Sequence, residues 1–394
     1  MKRLAIFLAL LLVGATPAIA APKPIAVKKL TLLSVDQGAE LLALSGKTIV
    51  TIANSEGVNT NILLSGVDGN GLQMWQKSID SGVDEVALAA TTDPSGNIWL
   101  VGASAQVAAT ESSTAVLPVE NPDGVVIEPI TPLRSDMKVL TIWKISTTGE
   151  LLSTFTSQLS APALITAISA NLSGISIAGT LQDRPFIQSI SAQGVFGKAI
   201  YIGTSKTSLN ALIRQSDGSI SVFGASSETL GGKKLAGRRD GVLINVSKTG
   251  VLASVVRSSA PKADRAWLAV DSSLALTGFV KSGKVIESAF TKFTSAFSPS
   301  WTLRVPSLGT STVVSAGTTT YGALNSQSTV TGISGWRPTT PSLLLLAFDG
   351  KGAITNAFGS SEISEPIAMS YSKDLGLIGL ARANNQTLSL FKLP

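Results

Sequence analysis

Apolar and polar residues alternate along this chain in short runs, and turns rich in glycine separate the runs. The clearest example is a stretch at residues 86–91, where alternation with a period of two predicts a β-strand. Residues 93–97 read Asp-Pro-Ser-Gly-Asn, a composition typical of a turn. A second predicted strand at residues 98–101 then ends at Gly102.

The same apolar run ending in glycine recurs along the chain. Its final glycines are Gly102, Gly179, Gly224, Gly278, Gly332 and Gly379, separated by steps of 77, 45, 54, 54 and 47 residues. We expect these glycines to occupy equivalent positions at the ends of second strands, where backbones approach closely or φ is positive. The longest step contains residues 103–137, which we interpret as a loop insertion in the second repeat.

A second series of glycines lies between the first. Gly71, Gly149, Gly194, Gly250 and Gly352 each join two apolar runs, as in a hairpin with a left-handed glycine. Phe297 occupies this place in the remaining repeat. Four short strands per repeat of about 50 residues are typical of a β-propeller.

The repeats predict an all-β fold, a single β-propeller of about seven four-stranded blades that spans residues 21–394. The last repeat lacks a strand, and residues 27–35 offer a spare one near the start of the chain. We therefore expect this N-terminal strand to complete the last blade and close the ring, which hides exposed strand edges.

Several repeat positions resemble the bacterial β-propeller repeats called SBBP repeats. The matching residues are Asp84-Glu85, Asp93, Gly96-Asn97 and Gly102, with residues 240–247 and Trp75. The resemblance implies an exported bacterial propeller. It supplies no catalytic residues.

The first 20 residues have the pattern of a bacterial secretory signal peptide. Lys2 and Arg3 precede an apolar run at residues 4–13, and Ala18-Ile19-Ala20 forms a cleavage site. We expect a mature chain that begins at Ala21, lies in the periplasm or at the cell surface or is secreted, and has no membrane span. The alternative is an uncleaved anchor, but the apolar run is short for a span.

The chain contains no histidine and no cysteine. These absences exclude serine–histidine hydrolysis, histidine-ligated metal catalysis and thiolate chemistry. We therefore expect no catalytic residues, no metal and no cofactor. The net charge of +6 falls to about +4 without Lys2 and Arg3, which is too weak to indicate nucleic-acid binding.

Hydrophobic residues make up 44% of the chain and charged residues 14%, as expected for strands buried on both faces. The tryptophans in predicted strands fit this interpretation as core residues. They are Trp75, Trp99, Trp143, Trp267 and Trp301.

Three long connections between second and third strands predict a binding surface, because such connections leave a propeller from one face. The first, at residues 103–137, is acidic and contains Glu111, Glu120, Asp123 and Glu128. The other two supply the candidate binding residues Lys233, Lys234, Arg238, Arg239, Trp336 and Arg337. Residues 106–135, rich in proline, are expected to be the least ordered part of the mature chain.

The leading hypothesis is an exported, monomeric, non-enzymatic propeller that binds a protein or a polymer of the cell envelope through these loops. The alternative is a glycan hydrolase or lyase that uses two neighbouring carboxylates. The candidate acids lie near different blade ends, at Asp84, Asp264, Glu287 and Glu365. A purely structural surface protein is the third possibility.

Overall fold

The computed structural model describes residues 24–36, 38–55, 57–106, 133–383 and 387–394. Within these ranges every regular element is a β-strand, in agreement with the all-β prediction. The predicted signal peptide at residues 1–20 lies outside the described residues, as does most of the insertion at 103–137. The predictions for these two segments therefore remain predictions.

Two strands precede the first sheet and five sheets follow in chain order. The N-terminal strands are β1 (Ile25–Lys29) and β2 (Thr31–Asp36). Sheet 1 contains β3 (Ala39–Ser45), β4 (Thr48–Ser55), β5 (Asn61–Val67) and β6 (Gln73–Ile79). Sheet 2 contains β7 (Glu85–Thr92), β8 (Ile98–Ser104), β9 (Val139–Ile145) and β10 (Leu151–Gln158). Sheet 3 contains β11 (Ala163–Asn171), β12 (Gly174–Leu181), β13 (Arg184–Ser191) and β14 (Ile200–Tyr201). Sheet 4 contains β15 (Thr207–Arg214), β16 (Ile220–Ser226), β17 (Asp240–Val246) and β18 (Leu252–Ser258). Sheet 5 contains β19 (Asp264–Val270), β20 (Ala275–Ser282), β21 (Val285–Phe293) and β22 (Pro299–Pro306).

Two further sheets complete the described chain. Sheet 6 contains β23 (Ser311–Ala316), β24 (Thr319–Ser326), β25 (Ile333–Ser334), β26 (Ser342–Phe348) and β27 (Ile354–Ser360). Sheet 7 contains β28 (Ile363–Ser372), β29 (Gly376–Ala383) and β30 (Leu388–Lys392).

The sheets surround a central cavity of about 640 Å³. The first strand of each sheet lines this cavity: β3, β7, β11, β15, β19, β23 and β28. From this first strand each sheet extends outward by antiparallel pairing of its next strands, and the N-terminal strands β1 and β2 add to the outer edges of two sheets. This arrangement is a β-propeller, as the repeats predict.

The prediction of seven four-stranded blades requires a correction. Six sheets have four strands, whereas sheet 6 has six because β1 and β25 join it. Strand β1 runs parallel to β27, with Val27 opposite Ala357, and parallel to β25. The predicted N-terminal strand at residues 27–35 is therefore two strands, and only β2 pairs with β30 of sheet 7.

The core lies between neighbouring sheets. Ile177 of sheet 3 packs in one cluster with Trp99 of sheet 2, and each other adjacent pair shares a similar cluster. Leu44 of sheet 1 and Leu390 of sheet 7 belong to the cluster between the ends of the chain. Three predicted core tryptophans are buried and two are half-buried: Trp99, Trp143 and Trp267, and then Trp75 and Trp301.

Four glycines of the first series share one structural role. Each lies in the second strand of its sheet, opposite a β-bulge in the first strand: Gly102, Gly179, Gly224 and Gly278. A Cβ atom at Gly224 would lie 1.9 Å from the Ser208 carbonyl oxygen, and one at Gly102 would lie 1.8 Å from that of Val86. Only glycine lets the bulged backbone approach this closely.

The equivalence does not extend to the other two glycines of the series. Gly332 lies in the connection after β24 with a φ of +82° and has open space where a Cβ would be. Gly379 faces Met369 and packs against the ring of Phe391. The apolar run before each glycine resembles the others, but the bulge that requires glycine is absent at these positions.

The hairpin glycines form a uniform set. Gly71, Gly149, Gly194, Gly250 and Gly352 have φ values between +81° and +85°. Phe297, which replaces glycine in sheet 5, also has a positive φ, of +58°. The place in the hairpin turn therefore imposes the left-handed conformation even on phenylalanine, a residue that adopts it unfavourably.

Candidate functional site

The connections between second and third strands leave the propeller at one end of the sheets. We call this end the loop face, and in the described residues its longest connections are 227–239 of sheet 4 and 327–341 of sheet 6. Antiparallel pairing of the first, second and third strands of sheets 4 and 6 places both connections at the same end as the links between sheets. The predicted binding residues therefore lie on a shared face, separated by sheet 5.

A tight turn shapes the sheet 4 connection. Leu230 and Lys233 exchange backbone hydrogen bonds of 3.1 and 2.9 Å. Gly231 and Gly232 between them have φ values of +55° and +73°. Positive φ at both central residues is the signature of a type I′ turn, a conformation that glycine pairs adopt readily.

A buried ion pair holds this connection against the sheet. The Arg257 guanidinium lies 3.2 Å from the Asp240 carboxylate, which is fully buried. Arg257 also donates to the carbonyl oxygens of Glu228 and Lys233, on both sides of the turn. One side chain therefore fixes both arms of the connection.

Asp240 accepts further hydrogen bonds from the connection. The backbone N–H groups of Ala236 and Gly237 donate to its carboxylate at 3.0 and 2.8 Å. Burial raises the pKa of Asp240, but these bonds and the neighbouring Arg257 outweigh it and hold the pKa below its usual value. The carboxylate is therefore ionised at neutral pH.

The anchored connection presents three of the predicted basic residues to solvent. Lys233, Lys234 and Arg238 are exposed. Arg239 is half-buried instead, and its Nη2 donates to the Ser208 hydroxyl at 2.7 Å. Arg239 therefore supports the connection and is a weaker candidate for contact with a partner.

Trp336 does not provide the exposed aromatic surface that the sequence suggested. It is only 7% exposed and belongs to the cluster between sheets 5 and 6. Its Nε1 donates to the Ser326 hydroxyl at 3.1 Å, and a Cβ at Gly359 would lie 2.3 Å from its ring. Trp336 lies in a connection, which suggested an exposed ring, but the ring packs over Gly359.

Arg337 is exposed and lies beside a groove of about 410 Å³. Lys28 and Lys29 of β1 line the same groove. Lys29 forms an ion pair of 3.0 Å with Glu362, and Lys28 donates to the Asn356 side chain at 3.1 Å. The groove gives the loop face a second basic region, distant in sequence from the first.

Sequence reasoning missed Lys28, Lys29 and Arg257. The two lysines reach the groove because β1 adds to the edge of sheet 6, which the repeats do not reveal. Arg257 lies on β18, and the pattern of residues around it is the same as in any other outer strand. The sequence around Arg257 carries no signal that links it to the connection at residues 227–239.

No carboxylate pair of the kind that the alternative enzyme hypothesis requires lies among the described residues that line the central cavity. Among the described residues that line it, Glu40 is the only acid. Asn54 donates to Glu40 at 2.7 Å and also bonds Ala87 of the next sheet. Glu40 therefore takes part in a contact between sheets.

Three of the four candidate acids each form an ion pair with a different arginine. Asp84 lies 2.6 Å from Arg134, and Glu365 lies 3.3 Å from Arg382. Glu287 lies 3.7 Å from Arg304. These three ion pairs lie at sheets 2, 5 and 7, so the acids do not converge on one another.

The described residues contain neither a cluster of metal ligands nor a long apolar helix. Within these residues, no group of three or more acidic side chains is placed to hold a metal ion. Likewise, none of their elements is a helix long and apolar enough to cross a membrane.

Comparison with solved structures places the chain among β-propellers. A protein from Lactobacillus plantarum is 13% identical with a TM-score of 0.53, and the match covers 85% of this chain and 88% of that one. The β-propeller domain of Myceliophteria thermophila Cps50 (Swd1) is 8% identical with a TM-score of 0.52, covering 93% and 99%. The Neurospora crassa Pan2 WD40 domain is 9% identical with a TM-score of 0.50, covering 95% and 98%.

These likenesses establish the fold only, because the identities are low. No family model matches the chain, and no curated protein matches it. The resemblance to SBBP repeats therefore stays a prediction, while the propeller fold has a bacterial structural neighbour.

Proposed function

We propose that this protein is an exported, non-enzymatic propeller that binds an anionic partner of the cell envelope, a protein or a polymer, through its loop face. The observation that carries the proposal is the anchored connection of sheet 4. It exposes Lys233, Lys234 and Arg238 while Arg257 and Asp240 fix its backbone. A pre-ordered loop loses little conformational entropy when it binds a partner.

The chemistry of the exposed groups favours an anionic partner. Arginine can bind carboxylate or phosphate groups through two parallel hydrogen bonds, and lysine supplies additional positive charge. The groove beside Arg337, with Lys28 and Lys29, offers a second point of contact on the same face. An extended polymer could contact both regions at once, which would strengthen binding without further contacts.

Export rests on the sequence of residues 1–20 and is part of the proposal. The mature N-terminus is expected at Ala21, and mass spectrometry of the protein from culture fractions tests this. A cytoplasmic protein that retains Met1 would contradict it. We also expect the mature chain to sediment as a monomer.

We further propose that β2 closes the ring as the outer strand of sheet 7. Its pairing with β30, which joins Leu32 to Phe391 in register, supports this role. The cluster that contains Leu44 and Leu390 supports it as well, because it links the first and last sheets.

The binding proposal is tested by reversing charge on the sheet 4 connection. The variant Lys233→Glu, Lys234→Glu, Arg238→Glu should lose binding to isolated envelopes and to polygalacturonate, a carboxylated polysaccharide used as a probe. Its melting temperature should stay within a few degrees of the parent, because exposed charges contribute about 0–1 kcal/mol to stability.

A matched control places the same charge change on the opposite face. Lys248, Lys351 and Lys373 are exposed in turns at that end of the sheets. Their replacement by glutamate should leave binding nearly unchanged. Equal losses in both triple variants would show that net charge alone drives binding and would overturn the assignment to the loop face.

A further inference from the structure

A cleft of about 250 Å³ opens between sheets 4 and 5, and Arg257, the residue that anchors the sheet 4 connection, is among the residues that line it. Strand β18 forms one wall, and the outer strands of sheet 5 form the other. Arg265 of β19 lines the cleft between them. The exposed residues Lys233, Lys234 and Arg238 of the proposed binding surface do not line this cleft.

Arg265 is an unusual residue to find there. It is only 7% exposed, and its guanidinium lies 4.5 Å from the ring centre of Trp267. Its Nε has no hydrogen-bond partner, and across the described part of the chain no carboxylate lies within ion-pair distance of its side chain. A buried cation without a partner is costly, so such groups are normally neutralised by an anion.

The neighbouring charges leave this cation uncompensated. Arg257 is paired with Asp240 at 3.2 Å, and Arg304 is paired with Glu287 at 3.7 Å. Burial, and then the charge of Arg304, lower the pKa of Arg265 to about 10. Arg265 still carries its proton at neutral pH, so the cleft has one positive charge in excess.

We propose that this cleft binds a small monocarboxylate whose apolar tail lies against the aromatic wall. The planar guanidinium of Arg265 matches a carboxylate with two parallel hydrogen bonds. The Ser258 hydroxyl lines the cleft and can donate a third hydrogen bond. Phe293 and Phe297, which are almost fully buried, supply the apolar wall.

The composition of the cleft favours a monocarboxylate over a phosphate. One excess positive charge balances a monoanion, whereas a phosphate dianion would remain partly unpaired. Ser259 already donates to Asp240, so few hydroxyl donors remain for additional anionic oxygens. The volume is enough for a ligand of several carbon atoms.

The test compares butyrate with its neutral analogue butyramide. Butyrate should raise the melting temperature of the parent protein in a concentration-dependent manner, because it binds only the folded state. Butyramide, and chloride at equal ionic strength, should produce no such rise. Titration calorimetry should then give an affinity for butyrate that falls about tenfold or more in Arg265→Gln, since a charge-assisted pair is worth about 1.5–3 kcal/mol.

A second variant guards against simple misfolding. Arg265→Met removes the buried charge but keeps the packing, so without butyrate it should melt at or above the parent temperature. It should not respond to butyrate, whereas Arg382→Gln on sheet 7 should respond as the parent does. An equal response to butyrate and chloride, tighter binding of phosphate, or a full response in Arg265→Met would each overturn the proposal.

Discussion

At the scale of single residues, the glycines opposite the bulges make the sharpest predictions. Gly224→Ala places a methyl group 1.9 Å from the Ser208 carbonyl oxygen, so the strands must separate. We expect a loss of about 1–3 kcal/mol in the free energy of unfolding, the usual cost of overpacking. Urea denaturation measures this loss in the free energy of unfolding.

Gly350→Ala is the matched control for that substitution. Gly350 has open space around its added Cβ, so stability should change by less than about 0.5 kcal/mol. Equal stability of the two variants would show that the bulge relaxes freely and does not require glycine.

The depressed pKa of Asp240 predicts that the free energy of unfolding depends on pH. Its folded-state pKa is depressed, so it stabilises the fold above its unfolded pKa of about 3.9, and this stability disappears as pH falls through the folded value. Asp240→Asn should cost about 3–5 kcal/mol at pH 7, because Arg257 then lacks its buried partner. The gap between parent and variant should shrink below pH 4 in chemical denaturation.

The exposed residue Asp374 provides the comparison for this prediction. Asp374→Asn should leave the free energy of unfolding at pH 7 close to that of the parent. A gap between the parent and Asp240→Asn that stays constant down to the lowest pH would indicate that the ion pair does not carry the effect.

At the scale of elements, the sequence predicted the repeated strands well, but it predicted poorly how the N-terminal strands pair with the edges of sheets 6 and 7. Alternation and turn glycines are local signals, so they locate strands such as β7 and β8 directly. The split of the N-terminal strand is not a local signal, because it depends on a last contact of Leu30 with sheet 6, after which the chain continues into sheet 7. Leu30 is buried and donates its N–H to the Gly359 carbonyl oxygen at 3.2 Å. Nothing in residues 27–35 reveals that distant acceptor.

The bulges also connect neighbouring sheets. The Asn210 side chain, on the bulge of β15, donates to the Trp267 carbonyl oxygen of β19 at 2.7 Å. The Thr166 hydroxyl, on the bulge of β11, donates to the Leu209 carbonyl oxygen at 2.6 Å. The bulge, which requires a glycine in the facing strand, thus also supplies a hydrogen bond to the neighbouring sheet.

Removal of one such contact should weaken the interface between sheets 4 and 5. Asn210→Ala is expected to cost about 1–2 kcal/mol, since the Trp267 carbonyl loses this donor. Hydrogen exchange should accelerate mainly in β15 and β19. Gln193→Ala, in an exposed hairpin turn, should alter neither quantity. Uniform acceleration throughout the chain would argue against a local link.

At the scale of the whole molecule, the fold class followed from the sequence but the site did so only in part. Four of the predicted basic residues are exposed on the connections where the loop argument placed them, because connections of one type share one face. The burial of Trp336 and the pairing of Arg239 depend on packing against other sheets, which one segment cannot report. The sequence did not reveal the uncompensated Arg265 either, because the missing carboxylate depends on the ion pairs that form in sheets 4 and 5 together.

Loss of the N-terminal strands tests how the ring is held. A chain that begins at residue 30 lacks β1 but keeps β2, so sheet 6 retains its four consecutive strands and sheet 7 stays complete. A chain that begins at residue 38 also lacks β2, which exposes the edge of β30 and removes Leu32 and Leu33. Each half-buried leucine contributes up to about 1.5–3 kcal/mol. The shorter chain should therefore melt at a markedly lower temperature, with a broader transition and fast hydrogen exchange in β30. Equal melting of the two truncated chains would show that β2 does not hold the ring closed.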